Sequence, residues 1–191
     1  MLEQPREGRS PERGKGPPRR LRRAIDDAGG ALPFDEFMRI ALYDSEIGYY
    51  TSGRQRVGRG GDFVTSVSVG ECFGILLARH FAPLLQALED AAPGGDLMVV
   101  EFGAESGDLA ADLMAAFADL LPAEVFGRLH YAAIEPFGPK REPLRQRLEE
   151  LGVVRARVVA SVGELERARG VLIANEVLDA MPVQRCRFSA G

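Results

Sequence analysis

The sequence predicts an α/β fold built around a parallel β-sheet, and three observations support this. Four short apolar runs are predicted strands, at residues 97–102, 129–135, 153–160 and 170–174. Segments of helical apolar spacing lie between them, and such alternation predicts βαβ units with helices on both faces of the sheet. The chain has 191 residues, 46% apolar and 27% charged, which is enough for one globular domain with its own core.

Residues 1–23 differ from the rest of the chain in charge. They hold eight Lys and Arg against three Glu, a net charge of +5, which leaves −9 for the remainder of a chain whose total is −4. Because this arm is rich in Pro and Gly and poor in large apolar residues, we predict that it is disordered. A mitochondrial presequence and an arm that binds RNA or a protein partner are the alternatives. The acidic remainder argues against nucleic acid as the main ligand.

Residues 24–95 are predicted to form an N-terminal extension of helices and loops. A short helix with Asp35 as its N-cap is expected first, followed by an extended segment. The glycine-dense stretch at residues 51–66 has no periodicity, and loops of this length are usually functional or disordered. A long apolar helix is expected next, with Pro83 kinking or splitting it near residue 82.

Residues 96–191 are predicted to form the α/β domain. Helices are expected at residues 107–121 and 143–151, ended by a proline and a glycine, and a short polar helix or half-turn at residues 163–169. No run approaches the roughly 20 apolar residues that a membrane-spanning helix needs.

The cysteines and histidines give no sign of a metal site. Cys72 and Cys186 stand in apolar surroundings without a CxxC or Cys/His partner, which predicts buried free thiols in a reducing compartment. His80 and His130 have no second ligand at metal spacing, so we predict that they are packing residues.

The stretch "VVEFGAESGDL", residues 99–109, joins the first strand to a helix through a glycine turn that is crowded with acids. Two unit charges about 4 Å apart interact with an energy on the order of 4 kcal/mol at an effective dielectric constant of about 20. A helix N-terminus stabilises a bound anion by only about 0.3–1 kcal/mol. Repulsion from Glu101, Glu105 and Asp108 therefore argues against a bound phosphate, and against an NAD-type oxidoreductase.

A cation without phosphate fits this turn better, and S-adenosylmethionine is such a ligand. Glu101 could pair with its ammonium group, while the backbone of Gly103, Ala104 and Gly107 allows close approach. Glu135, at the end of the next strand, is placed to accept hydrogen bonds from both ribose hydroxyls. The alternatives are a solvated acid at position 135 and an ordinary strand-to-helix turn.

A second group of polar residues lies in "VLIANEVLDAMPV", residues 171–183. The fourth strand delivers Asn175 and Glu176 at its carboxyl end, where open parallel sheets bind ligands, and Asp179 follows one helical turn later. We take these three as candidate catalytic residues on the acceptor side. Asn175 could instead cap the strand end and Asp179 could satisfy backbone donors.

Together these pieces resemble the MidA family of S-adenosylmethionine-dependent methyltransferases. The motifs "ALYDSEIGYY", "GRGGDFVTS", "VVEFGAESGDL", "IEP" and "IANEVLDAMPV" occur in the family's order, over residues 32–183. The resemblance implies a Rossmann-like class I methyltransferase sheet and a protein nitrogen acceptor, arginine in the mitochondrial members. It also implies that the extension covers the cofactor site, with Asp62, Phe63 and Thr65 in the pocket. A cytoplasmic location is the default expectation, and the mitochondrial matrix is the alternative.

The sequence also departs from the family's pattern. Glu105 stands where the family usually has glycine, and Val67 and Ser68 stand where it usually has Pro-Glu. The family is roughly twice this long and its sheet has seven strands. We therefore expect residues 1–191 to be the front part of a longer protein or a broken copy, with strand four at an exposed edge. Activity is expected of the full-length protein, and a catalytically decayed fold that acts as a binding or assembly module is the alternative.

Overall fold

The computed structural model describes residues 16–52, 67, 70–165 and 169–188. The chain divides into two compact units, which we describe separately. Unit 1 comprises Met1–Arg54 and Pro182–Gly191, and unit 2 comprises Gln55–Met181.

The described residues of unit 1 form two helices, α1 (Arg19–Asp27) and α2 (Phe34–Tyr43). Helix α1 begins directly after Pro18 and buries Leu21, so the last residues of the predicted disordered arm are helical. Leu21 stands between arginines in α1, and its burial gives this segment a packing contact that the composition of the arm did not predict.

The start of α2 and the segment after it also differ from expectation. Asp35 is not the N-cap, because the helix begins after Pro33, and the Asp35 carboxylate lies 3.7 Å from Arg39 instead. The predicted extended exit is a turn in which Asp44 Oδ1 accepts the N–H groups of Glu46 (3.0 Å) and Ile47 (3.1 Å). These two hydrogen bonds hold the pKa of Asp44 below its usual value.

The described part of unit 2 contains the long helix α3 (Cys72–Ala91), which is continuous through Pro83. The predicted split is therefore wrong. Pro83 lies on the exposed side, while the buried side carries small residues, and a β-carbon at Gly74 would lie 2.4 Å from Asp112 Cβ. This close approach packs α3 against the helix that carries Asp112.

Four parallel strands form the sheet of unit 2, in the order β3-β2-β1-β4. They are β1 (Leu97–Phe102), β2 (Leu129–Ile134), β3 (Ala156–Val159) and β4 (Gly170–Ile173). The parallel α/β prediction is confirmed, and β4 lies at one edge of the four described strands.

Helices α4 (Asp108–Leu120), α5 (Ala123–Phe126) and α6 (Gly138–Glu150) complete the unit, with 3₁₀ turns at Val162–Glu164 and Leu178–Ala180. Helix α6 begins at Gly138, five residues earlier than predicted. Pro139 lies in its first turn, where a helix tolerates proline.

The long helices of unit 2 all pack on one face of the sheet, where their buried residues share one core with Val99 and Tyr131. The opposite face has a smaller cluster, whose strand members are Val100, Ala132, Ile134 and Val159. Among the described residues, Leu165 is the one buried member of this cluster from outside the strands. The prediction of helices on both faces is therefore wrong within the described part of this unit. Between β3 and β4, the described residues form a 3₁₀ turn at Val162–Glu164.

A buried acid joins α3 to the amino ends of the strands. Glu89 Oε1 accepts hydrogen bonds from Arg128 Nη2 (2.5 Å) and from the Gly94 N–H (2.9 Å). Arg169, just before β4, donates to the carbonyls of Leu88 (3.1 Å) and Ala92 (2.6 Å). We call Glu89, Arg128 and Arg169 the amino-end cluster.

Both cysteines are exposed and free, so the prediction of buried thiols is wrong. Cys72 is the first residue of α3, and Cys186 lies in an irregular stretch of exposed residues. Among the described helices, none is both long enough and apolar enough to cross a bilayer.

Candidate functional site

The carboxyl ends of β1, β2 and β4 meet at one edge of the sheet. Beyond the strands, the Gly103 N–H donates to the Ile134 carbonyl (3.3 Å) and the Glu135 N–H to the Val159 carbonyl (2.9 Å). A β-carbon at Gly103 would lie 3.2 Å from Val177 Cγ2 in the loop after β4. The structure therefore brings together three predicted parts of the site: the glycine turn after β1, Glu135 after β2, and the loop after β4 that carries the "NEVLD" motif.

The turn after β1 needs both of its glycines. Gly103 has φ +69° and Gly107 has φ +75°, and the Gly107 N–H closes the turn on the Ala104 carbonyl at 2.7 Å. A β-carbon at Gly107 would lie 2.9 Å from Leu148 Cδ2 on α6. Gly107 thus allows both the turn and the packing of α6 beneath it.

Glu105 adopts a glycine-like conformation between these two residues. Its φ is +46°, a left-handed value that costs a residue with a β-carbon roughly 1–2 kcal/mol. Partial desolvation of its carboxyl group raises its pKa, and attraction to Lys140 on α6 opposes that rise. The side chain therefore faces a cation from the neighbouring strand's helix.

Glu101 is buried, with 4% of its surface exposed, and the Tyr131 hydroxyl donates a hydrogen bond to its Oε2. Burial raises the pKa of Glu101 to about 8. Most of this carboxyl is therefore protonated at pH 7, and Glu101 repels phosphate less than its charge alone predicts.

The other acids near the turn keep the edge negative. Ser106 Oγ donates to Asp108 Oδ2 (2.9 Å), and Asp108 lies 3.6 Å from Arg147. The pKa of Asp112, one turn further along α4, is raised by desolvation and then by repulsion from Glu71 and Asp108. Asp108, the first residue of α4, and Glu105, which precedes the helix, place two carboxyl groups at its N-terminus, where they disfavour an anionic ligand.

Glu135 is held by its own loop. Its Oε1 accepts the Phe137 N–H at 2.7 Å, while Arg141 Nη1 donates to the carbonyls of Glu135 (3.2 Å) and Pro136 (3.1 Å). These contacts fix the carboxylate at the carboxyl end of β2, next to the glycine turn.

The three candidate catalytic residues follow β4 in one loop. Asn175 is half-buried, Glu176 is exposed with φ +52°, and Asp179 is exposed within the 3₁₀ turn. The loop is not helical between Asn175 and Val177, so a side-by-side placement of Asn175 and Asp179 stays a prediction. Asp62, Phe63 and Thr65 lie outside the described residues.

The sequence analysis missed two residues of this site. Tyr131 lies inside a strand, where a tyrosine is ordinary core packing, and only its register against Glu101 gives it a partner. Lys140 lies in the first turn of α6, and the helix predicted at residues 143–151 did not include it.

The donor set fits S-adenosylmethionine. A buried acid lies beneath the turn, a fixed carboxylate follows the second strand, and the turn exposes Gly103 without a side chain. An ammonium group and a ribose diol are the ligand groups that such acids bind. No group of three or more His, Cys, Asp or Glu within the described ranges could hold a metal ion.

Comparison with known proteins agrees with this geometry. A family described as "Putative S-adenosyl-L-methionine-dependent methyltransferase" matches residues 76–191. A crystal structure of a COG1565 superfamily member from Burkholderia thailandensis, bound to S-adenosyl-homocysteine, has a TM-score of 0.67 and 37% identity. The match covers 85% of this chain and 41% of that one. A second structure from the same organism has a TM-score of 0.64 and 35% identity, covering 86% and 39%.

Two curated relatives are also similar. "Protein arginine methyltransferase NDUFAF7 homolog, mitochondrial" of Drosophila melanogaster is 27% identical over 99% of this chain and 46% of its own length. "Protein arginine methyltransferase NDUFAF7, mitochondrial" of Danio rerio is 34% identical over 49% of this chain and 21% of its own. The chain therefore spans less than half the length of these relatives.

Proposed function

Because this chain belongs to the MidA family of S-adenosylmethionine-dependent methyltransferases, we propose that its acid-lined sheet edge binds the cofactor of a protein methyltransferase. One observation carries the proposal: Glu101, the Gly103 turn and Glu135 lie together at the carboxyl ends of neighbouring parallel strands. In open α/β sheets this is the edge at which ligands bind.

In this proposal each acid holds a different part of the cofactor. Glu101 would attract the ammonium group from beneath the turn, and Glu135 would accept the ribose hydroxyls. The absence of a side chain at the exposed Gly103 would let the ligand approach the backbone of the turn, and Gly107 would keep the turn in shape above α6. Asp62, Phe63 and Thr65 are proposed to complete the pocket.

The loop after β4 is proposed to hold the acceptor. S-adenosylmethionine supplies an electrophilic methyl group on a sulfonium, and the departing thioether is neutral. The protein's task is therefore mainly to align the acceptor nitrogen with that methyl carbon. Asn175 would orient the nitrogen, Glu176 would offset the acceptor's charge, and Asp179 would support the loop.

A protein arginine acceptor is the finer part of the proposal. Both curated relatives are named protein arginine methyltransferases, and a guanidinium group matches the exposed carboxylate of Glu176. The same two names include "mitochondrial", which supports the matrix alternative over the cytoplasmic default.

Titration calorimetry with S-adenosylhomocysteine tests the cofactor proposal. We expect saturable heat with the whole protein, and weaker binding for Glu135→Gln by about tenfold, the loss typical of a hydrogen bond to a charged group. Glu124→Gln, on the exposed side of α5, is the matched control and should bind like the wild type. Absence of heat in the wild type would refute cofactor binding.

A second candidate function is a binding or assembly module on a methyltransferase fold without activity. The strained Glu105 beside Lys140 favours it, because this side chain stands where the cofactor would approach the turn. Glu105→Gly distinguishes the two functions. Binding of S-adenosylhomocysteine that appears only in this variant supports the module, whereas equal binding in the wild type rules it out.

A further inference from the structure

Tyr131 contacts the acid at the centre of the proposed site. It lies within β2, fully buried, and its hydroxyl donates to Glu101 Oε2 on β1. The strand register places Glu101 opposite Ala133 and Tyr131 opposite Val99. The two side chains are thus diagonal neighbours on the face of the sheet that packs against the helices.

Each member of this pair needs the other. A buried tyrosine hydroxyl almost always has a hydrogen-bond partner, and a buried carboxyl group without a donor is costly. Their neighbours on the same face, Val99 and Ala133, belong to the apolar core and supply no side-chain donor. Leucine or phenylalanine would fill a core position as well, so packing alone does not explain a tyrosine here.

We propose that Tyr131 is a positioning residue for the amino-acid end of the cofactor, acting through Glu101. Its hydroxyl holds the Glu101 carboxyl in one orientation and stabilises the ionised form when a ligand ammonium group binds. This inference rests on the proposed function, since it assigns Glu101 to the cofactor's ammonium group.

The electrostatic setting gives the pair a measurable signature. Burial favours the protonated form of Glu101, whose pKa is about 8, whereas a bound ammonium group favours the carboxylate. Ligand binding below about pH 8 therefore releases a proton. The charged and titratable groups on the surrounding elements include Tyr131 on β2, Glu135 after β2, Glu105 in the turn, Asp108 and Asp112 on α4, Glu71 before α3, Lys140 and Arg147 on α6 and Glu176 after β4.

Calorimetry with S-adenosylhomocysteine, in buffers of different ionisation enthalpy, measures that proton. For the wild type we expect release of close to one proton at pH 7, and affinity that rises by up to about tenfold per pH unit until about pH 8. Affinity that does not change with pH, with no proton released, would overturn the inference but leave cofactor binding intact. Absence of binding at every pH would overturn both.

Tyr131→Phe tests the hydroxyl itself. Without this donor the carboxylate is less stable, so we expect affinity to fall about three- to tenfold at pH 7 and the pH profile to move to higher pH. A purely structural role would lower affinity equally at all pH values, and parallel profiles would therefore refute the proposal. Tyr43→Phe in unit 1 removes the same group elsewhere and should leave the profile unchanged.

Two further measurements keep the test independent of variant folding. Carbon-13 NMR of the Glu101 carboxyl, without ligand, should show a higher pKa in Tyr131→Phe than in the wild type. Glu101→Gln keeps the side-chain size but cannot ionise, so its remaining affinity should not vary with pH in this range. An unchanged carboxyl titration in Tyr131→Phe would contradict the inference even if binding is weaker.

Discussion

Gly107 and Leu148 approach so closely that a β-carbon on Gly107 would lie 2.9 Å from Leu148 Cδ2. The residue that closes the glycine turn is therefore also the residue over which α6 packs. The shape of the proposed cofactor site and the core thus depend on the same position.

Gly107→Ala should lower both stability and cofactor affinity. The left-handed φ of +75° and the contact with Leu148 act together, and we expect a loss of about 2–3 kcal/mol in the free energy of unfolding. Gly152→Ala is the matched control, because Gly152 has φ +72° but no atom within 4 Å of its added β-carbon. Urea unfolding of both variants separates the clash from the backbone strain; equal losses would contradict the packing account.

Glu101 should make the protein less stable as pH rises. Its pKa is about 8 in the folded chain against 4.5 as its ordinary value, so between these values the folded state binds more protons than the unfolded state. The free energy of unfolding therefore falls with rising pH across this window, by at most about 1.4 kcal/mol per pH unit. Glu101→Gln should remove this dependence, and denaturant unfolding at several pH values across the window measures it. A wild type and variant with the same slope would show that Glu101 is ionised in the folded protein.

Glu89→Gln should destabilise unit 2 without changing the pH profile of cofactor binding. Its buried carboxylate joins Arg128 and the Gly94 N–H, and we expect a loss of about 2–4 kcal/mol because Arg128 loses its counter-ion. Glu142→Gln, in an exposed pair with Arg145, is the control and should cost less than about 0.5 kcal/mol. Thermal unfolding of both variants measures the difference, and similar melting temperatures would show that the amino-end cluster contributes little.

Two residues in left-handed conformation should respond oppositely to replacement by glycine. Glu105→Gly relieves backbone strain at φ +46°, and we expect a gain of up to about 1 kcal/mol in the free energy of unfolding. Arg155 has φ +58°, but its guanidinium donates to the carbonyls of Leu129 and Phe126, both at 2.9 Å. Arg155→Gly should therefore lose stability despite the same relief. Chemical denaturation tests this pair, and a loss in Glu105→Gly would mean that its attraction to Lys140 outweighs the strain.

Much of the sheet was predictable from local sequence. The strand Leu97–Phe102 was predicted at its observed bounds, because a β-branched run between turn residues is a strong signal. The side of the sheet on which each helix packs was not predictable, since it depends on the spatial order of the strands, which local sequence does not reveal. Asp35 and Pro83 were interpreted from local rules that the surrounding packing overrides.

For the candidate site, the sequence predicted which acids end the strands but not their charge. Glu101 was taken as an anion, whereas burial raises its pKa to about 8, so that most of this carboxyl group is protonated at neutral pH. Burial and strand register arise from contacts far apart in the chain, so the composition of "VVEFGAESGDL" could not reveal them. The roles of Asn175, Glu176 and Asp179 stay predictions.

The amino-end cluster stands at the opposite ends of the strands from the acids of the proposed site. The residues that attach α3 to the sheet and the residues of the proposed site are thus separated by the length of a strand, which is four to six residues. Substitutions at the exposed positions of the loop after β4 can accumulate while Glu89 and its arginines still tie α3 to the sheet. Such a scaffold can change the side chains of that loop over evolutionary time and remain folded throughout.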